Sequence, residues 1–179
     1  MTSPAIDRTS TAAAPSPHAY AIGLLVLRLA VGLTMAVHGG QKLFGWFGGG
    51  GVDGTAQFFT SVGYPSGKAM ALVAGLTETL GGLGLALGLL TPLMAAGLLG
   101  TLVNALAVKT DAGFSFFAPQ GVEYELLLTT AAVVLALTGP GRYAVDRFLP
   151  VLRSHRLAHG VLAVALGVVV AAVVLVVRG

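Results

Sequence analysis

YAIGLLVLRLAVGLTMAVHGGQKLF, residues 20–44, decides the fold class. Residues 20–37 form an apolar run interrupted by a single charge, Arg28. At 1.5 Å per residue the run is long enough to cross the hydrocarbon of a bilayer and too long for the core of a cleaved signal. It predicts a retained membrane helix. A charge in mid-bilayer costs at least about 2.5 kcal/mol, so Arg28 needs a partner or a purpose. Positions 28, 31, 35, 38 and 42 advance by three and four, so Arg28, Val31, Met35, His38 and Lys42 share one face if the helix continues past Gly39 and Gly40.

The rest of the chain has the same character. Hydrophobic residues make up 55% of its 179 residues and charged residues 9%, and the mean hydropathy is +0.87. That leaves too little polar surface for a soluble globule. The absence of cysteine excludes disulfide exchange, thiolate metal ligation and iron–sulfur clusters as activities of this chain alone. A redox role would have to borrow its chemistry. The net charge of +3 is small, and the basic residues gather in one connecting segment with no basic helix face or aromatic platform. No nucleic-acid partner is expected.

Outward from the opening stretch, residues 1–18, rich in Ser, Thr, Ala and Pro, read as a disordered cytoplasmic tail. Residues 39–67, with the glycines from Gly48 to Gly51, Phe44, Trp46, Phe47 and Pro65, read as a flexible loop partly at the interface. A second span covers 69–90, apolar apart from Thr77, Glu78 and Thr79, with Gly81, Gly84 and Gly88 permitting close helix contact. Thr91 and Pro92 break it, and 93–108 returns with one polar residue, Asn104, as an antiparallel neighbour. After a loop at 109–121, a fourth span opens on Glu123, Tyr124 and Glu125 and stops at Gly139-Pro140-Gly141. A fifth apolar stretch, 157–177, follows a basic linker at 149–156. The expected fold is an all-α polytopic transmembrane helix bundle: a four-helix core in 19–148 plus a fifth C-terminal transmembrane helix in 157–179. Arg142, Arg147, Arg153 and Arg156 outnumber the single Asp146 between the last two spans, which puts that connection in the cytoplasm of a plasma (inner) membrane protein. Alternation then leaves the N-terminus cytoplasmic and the C-terminus outside.

Counting helical rise from the span ends puts Arg28 roughly 12 Å from the inner boundary, Glu78 roughly 14 Å from the outer one and Asn104 about 16 Å into its span. A cluster of Arg28, Glu78 and Asn104 is expected near the midplane. It would either fix helix register or line a ligand site. A second cluster is expected at the outer rim, where His38 and Lys42 would face Glu123 and Glu125. Those two carboxylates point about 200° apart on a helix, so they do not form an acid–base pair. The candidate ligand-binding or proton-relay residues are Arg28, His38, Lys42, Glu78, Asn104 and Glu123. No second histidine lies at the depth of His38, and His18 and His159 sit outside the spans' middles, so neither a metal site nor a haem is expected. The Gly48 to Gly51 run lacks the Lys-Ser or Lys-Thr pair of a phosphate loop.

Residues 27–32 (LRLAVG) and 38–47 (HGGQKLFGWF) resemble the opening of the DoxX family of small bacterial and archaeal membrane proteins. Residues 75–82 (GLTETLGG) resemble that family's second span, 121–126 (GVEYEL) its fourth, and 138–142 (TGPGR) the end of its domain. The resemblance covers about residues 20–148 and implies a four-helix membrane domain associated with respiratory or oxidative-stress redox systems, some of them quinone-linked. The added fifth stretch and the missing thiols are departures from it. The leading expectation is a DoxX-like subunit of a redox-associated membrane complex with a polar intramembrane pocket. Such a subunit would hold no intrinsic cofactor, would have quinone as its candidate ligand, and would have the lipid bilayer, a membrane redox complex or a second copy as partners. The alternatives are a small-solute transporter or permease using the same polar seam, and a non-catalytic membrane anchor or assembly protein. No self-contained catalytic motif is present, and an oxidoreductase subunit is the one enzymatic reading left open.

Overall fold

The computed structural model describes residues 16–111, 116, 121–150 and 154–178. Most of the expected N-terminal tail and parts of the loop at 109–121 and the linker at 149–156 lie outside the described residues. Among the described residues six α-helices follow in order: α1 Pro17–Phe44, α2 Gly51–Ser61, α3 Gly67–Leu87, α4 Thr91–Asp111, α5 Glu123–Thr138 and α6 Leu157–Arg178. Among the described residues α1, α3, α4 and α6 are each long and apolar enough to cross a membrane. The chain is an all-α membrane protein.

Helix α1 starts with Pro17 at its first turn, where a missing N–H is harmless. It runs unbroken through Gly39 and Gly40 and ends at Gly45, whose left-handed backbone lets its N–H donate to the Gln41 carbonyl at 3.2 Å. The condition under which Arg28, His38 and Lys42 share a face is therefore met. Glycines set the register between α1 and α3. A Cβ on Gly32 would lie 2.5 Å from the Gly82 carbonyl oxygen, and one on Gly39 2.7 Å from that of Gly75. Only glycine allows this approach, and it places Arg28 beside Gly88, at the end of α3. In the same way, α6 packs on α4 at Gly167, where a Cβ would come within 2.7 Å of the Ala96 carbonyl.

The stretch expected to be a flexible loop contains helix α2. A short 3-10 turn at Trp46–Gly48 leads into it. It buries Thr55, and Gly67 of α3 fits against its Ala56 carbonyl and Thr60 hydroxyl. Glycine depresses intrinsic helicity, but packing on α3 and Asp53 in the first turn favour the helix.

Helix α5 has sixteen residues, about 24 Å of rise, and falls short of a full crossing alone. Residues 139–146 then fold against the bundle, with Gly141 beside Leu24 of α1. The Asp146 N–H donates to the Gly88 carbonyl at 2.9 Å. Its carboxylate accepts from the N–H groups of Leu90 at 2.7 Å and Thr91 at 2.9 Å and from the Thr91 hydroxyl at 2.9 Å. A distant carboxylate thus satisfies donors that the start of α4 leaves orphaned, in the field of that helix's positive end. His18 approaches the Tyr143 hydroxyl at one end of the bundle, and Arg178 pairs with Asp111 at 2.8 Å at the other, so the ends of the described chain lie at opposite ends of the bundle. Val31, Met35, Leu85, Leu98 and Leu135 fill the core, while Leu33, Leu80, Leu162 and Val176 are exposed and face outward. Such a rind is soluble only in lipid.

Candidate functional site

The polar seam divides into three separate groups. Lys42, near the end of α1, reaches Glu78 on α3 with Nζ to Oε2 at 2.5 Å, and the Glu78 side chain is 8% exposed. One turn beyond Gly100, Asn104 of α4 accepts a hydrogen bond from the Tyr64 hydroxyl at 2.9 Å and donates to the carbonyls of Gly100 at 2.9 Å and Ala171 at 3.4 Å. At the end of α4, Lys109 pairs with Glu125 of α5 at 2.8 Å and donates to the Gly121 carbonyl at 3.0 Å. All three groups border one cavity of about 410 Å³ whose remaining walls are largely apolar residues of α2, α3, α4 and α6, with Thr77 and Thr101 among them.

The expected Arg28, Glu78 and Asn104 cluster does not form. Lys42 lies fourteen residues beyond Arg28, about 21 Å along the same helix, and it is Lys42 that Glu78 meets. Counting depth from assumed span ends misplaced α3 against α1, because the glycine contacts fix their relative height. Arg28 is fully buried and instead donates from Nη2 to the Tyr143 carbonyl, with Asp146 as the nearby counter-charge. Asn104 does share the cavity with Glu78. The expected rim cluster is also rearranged. His38 Nε2 hydrogen-bonds the Tyr124 hydroxyl at 2.9 Å with their rings 5.8 Å apart, while Glu125 takes Lys109. Glu123 opens α5 beside Gly121.

Tyr64 carries no signal in the sequence that marks it for the site. It lies in the link between α2 and α3, is 4% exposed, and is covered by the Arg178 guanidinium 5.5 Å from its ring centre. Burial pushes its phenol above the usual tyrosine value of 10.0, Arg178 opposes the shift and Asp111 adds to it. Tyr64 is therefore a hydrogen-bond donor at any physiological pH.

The DoxX family profile matches residues 23–111, which include Lys42, Glu78, Asn104 and Lys109. CatD of Bacillus subtilis (strain 168), provisionally named an oxidoreductase, is 36% identical over 131 residues, covering 73% of this chain and 89% of CatD. The chain belongs to the DoxX family. Two further DoxX-type relatives are the inner membrane proteins YphA, 30% identical over 69% of this chain and 88% of its own length, and YqjF, 32% identical over 72% and 92%, both of Escherichia coli (strain K12). No solved structure matches the chain. Helix α6 lies beyond the matched profile, yet it supplies Val170 and Val174 to the cavity wall.

Chemically, the cavity offers ammonium donors, a phenol, an amide and two carboxylates within a largely apolar lining. That arrangement suits recognition of a small molecule with hydrogen-bonding groups on an apolar body.

Proposed function

We propose that this DoxX protein is a membrane subunit of a redox system and that its cavity binds a small quinone-like ligand. One observation carries the reading: Lys42–Glu78, Tyr64–Asn104 and Lys109–Glu125 converge on a single cavity among helices that otherwise face lipid. Ionisable groups within membrane spans are costly and tend to mark functional sites. The lysines can donate to a ligand carbonyl, while Glu78 and Glu125 hold those lysines in place. Arg28 and His38 act structurally in this reading, through Tyr143 and Tyr124. The name given to CatD lends support from the family. Without cysteine or a catalytic motif, the electrons would pass through a partner of this subunit.

The domain reading follows the same line: a DoxX unit over 19–148 with α6 as an added helix that closes the cavity. Arg142, Arg147 and Arg156 stand at the end of the bundle that we place in the cytoplasm, with the protein in the plasma membrane.

The test is titration of the purified protein in nanodiscs with a chainless benzoquinone. Glu78→Gln combined with Asn104→Leu should weaken binding at least tenfold, and His38→Ala should leave it unchanged. Undiminished affinity in the double variant would remove the cavity from the proposal.

A further inference from the structure

Beside the polar cavity runs a second cleft of about 360 Å³, lined almost wholly by apolar atoms. The two share three residues, Thr77 of α3, Gly97 of α4 and Val170 of α6. On all three helices the cleft continues the cavity in one direction: from Thr77 to Gly81, from Gly97 back to Leu93, and from Val170 back to Leu166. The pair is thus one groove between α3, α4 and α6, polar at one end and apolar at the other, joined at those three residues. On each helix the apolar extension advances four positions, about 6 Å of length, enough for roughly one five-carbon unit before the groove gives onto lipid.

We propose that the occupant is a chain-bearing amphiphile, with its polar head among Lys42, Glu78 and Asn104 and its apolar chain threaded past Thr77, Gly97 and Val170 into the cleft. This rests on the ligand-binding reading above and adds the class of ligand. Water expulsion cannot select the chain, because bilayer lipid is as apolar as the cleft. Selection comes from geometry, since a head seated in the cavity directs its chain into the apolar cleft that adjoins it. Leu93 and Leu166 line the cleft and not the cavity, so a larger side chain at either fills the path of the chain and leaves the seat of the head in place.

Two sources share this chemistry, an isoprenoid-type quinone and a single-chain lipid, and two photoreactive probes separate them. One is a benzoquinone with a decyl chain carrying a mid-chain diazirine, the other a lysophosphatidylglycerol carrying the same group. Each is crosslinked to the full chain in nanodiscs, and the labelled peptides are identified by mass spectrometry. At least one probe should label residues 93–97 and 166–170, and Leu166→Trp, which fills the cleft from α6 outside the cavity, should abolish that label while the chainless benzoquinone still binds the variant. If Leu166→Trp does not fold, Leu93→Trp fills the same cleft from α4. Labelling by the quinone alone or the lipid alone names the source. If the chainless head binds but both probes label only outward-facing positions such as Leu29 and Leu33, insensitive to Leu166→Trp, the threaded chain is overturned and the cavity reading stands. If the chainless head does not bind, and labelling is confined to the surface, both fall.

Discussion

Lys42 Nζ stands 2.5 Å from Glu78 Oε2, and this contact joins α1 to α3 at the wall of the cavity. Among the described residues each is the other's ion-pair partner. Removing Lys42 alone leaves a buried carboxylate uncompensated, which costs about 3 kcal/mol, the low end for such pairs because Lys42 keeps 26% of its side-chain surface. Lys42→Met should therefore lower stability by about that amount in reversible unfolding from detergent micelles. Lys42→Met with Glu78→Leu should recover most of the loss, since an apolar pair of similar volume replaces the ion pair. The double variant would be folded and unable to hold a polar head.

Asp146 makes a separate prediction at the other end of the bundle. Its carboxylate accepts three hydrogen bonds at the start of α4 and stands near the buried Arg28. Asp146→Ala should cost about 3 kcal/mol by thermal unfolding, combining a lost helix cap with a stranded cation. Asp146→Asn keeps one carbonyl acceptor and should cost about half as much. Ligand binding by the folded fraction should not change, because Asp146 is remote from the cavity.

The α1–α3 crossing depends on glycine. Gly32→Leu puts side-chain atoms where the Gly82 carbonyl already stands, so the helices must part and the cavity loses its register. This variant should fail to yield monodisperse protein by size-exclusion chromatography. Gly23→Ala on the same helix meets nothing within 4 Å and should be neutral or slightly stabilising.

Legibility in the sequence follows from what sets each feature. Hydropathy dictates the spans, and the three- and four-residue spacing of Arg28, His38 and Lys42 correctly placed them on one face of a helix that continues through Gly39 and Gly40. The polar residues of the second and third spans, Glu78 and Asn104, were visible because they interrupt apolar runs. Their partners were not. Pairing depends on the relative height of α1 and α3, which the contacts of Gly32 with Gly82 and Gly39 with Gly75 decide, and at that height Glu78 stands level with Lys42, with Arg28 fourteen residues away on α1. Helix α2 was hidden by its own glycines, since packing on α3 rather than propensity holds it. Asp146 looked like a lone acid in a basic linker because its role as a cap exists only after the chain folds back. Tyr64 is one of four tyrosines and nothing local distinguishes it.

Tyr64 also gives a pH dependence. Its folded pKa is raised above the ordinary value of 10.0, chiefly by burial. The stabilisation that goes with the protonated phenol is complete below pH 10, declines as pH rises through the ordinary value, and is gone above the raised folded value. Unfolding measured between pH 9 and pH 12 should show this alkaline loss in the native protein. Tyr64→Phe should flatten that part of the curve and lower neutral-pH stability by about 1 kcal/mol, because Asn104 loses its donor.

The most direct measurement of the central claim is calorimetric titration of a chainless benzoquinone into nanodisc-embedded protein, native against the Lys42→Met, Glu78→Leu double variant, with both shown to be folded by circular dichroism. Saturable one-to-one binding to the native protein and at least a tenfold loss in the variant is the predicted result. Equal binding to both, or none to the native protein, would contradict it.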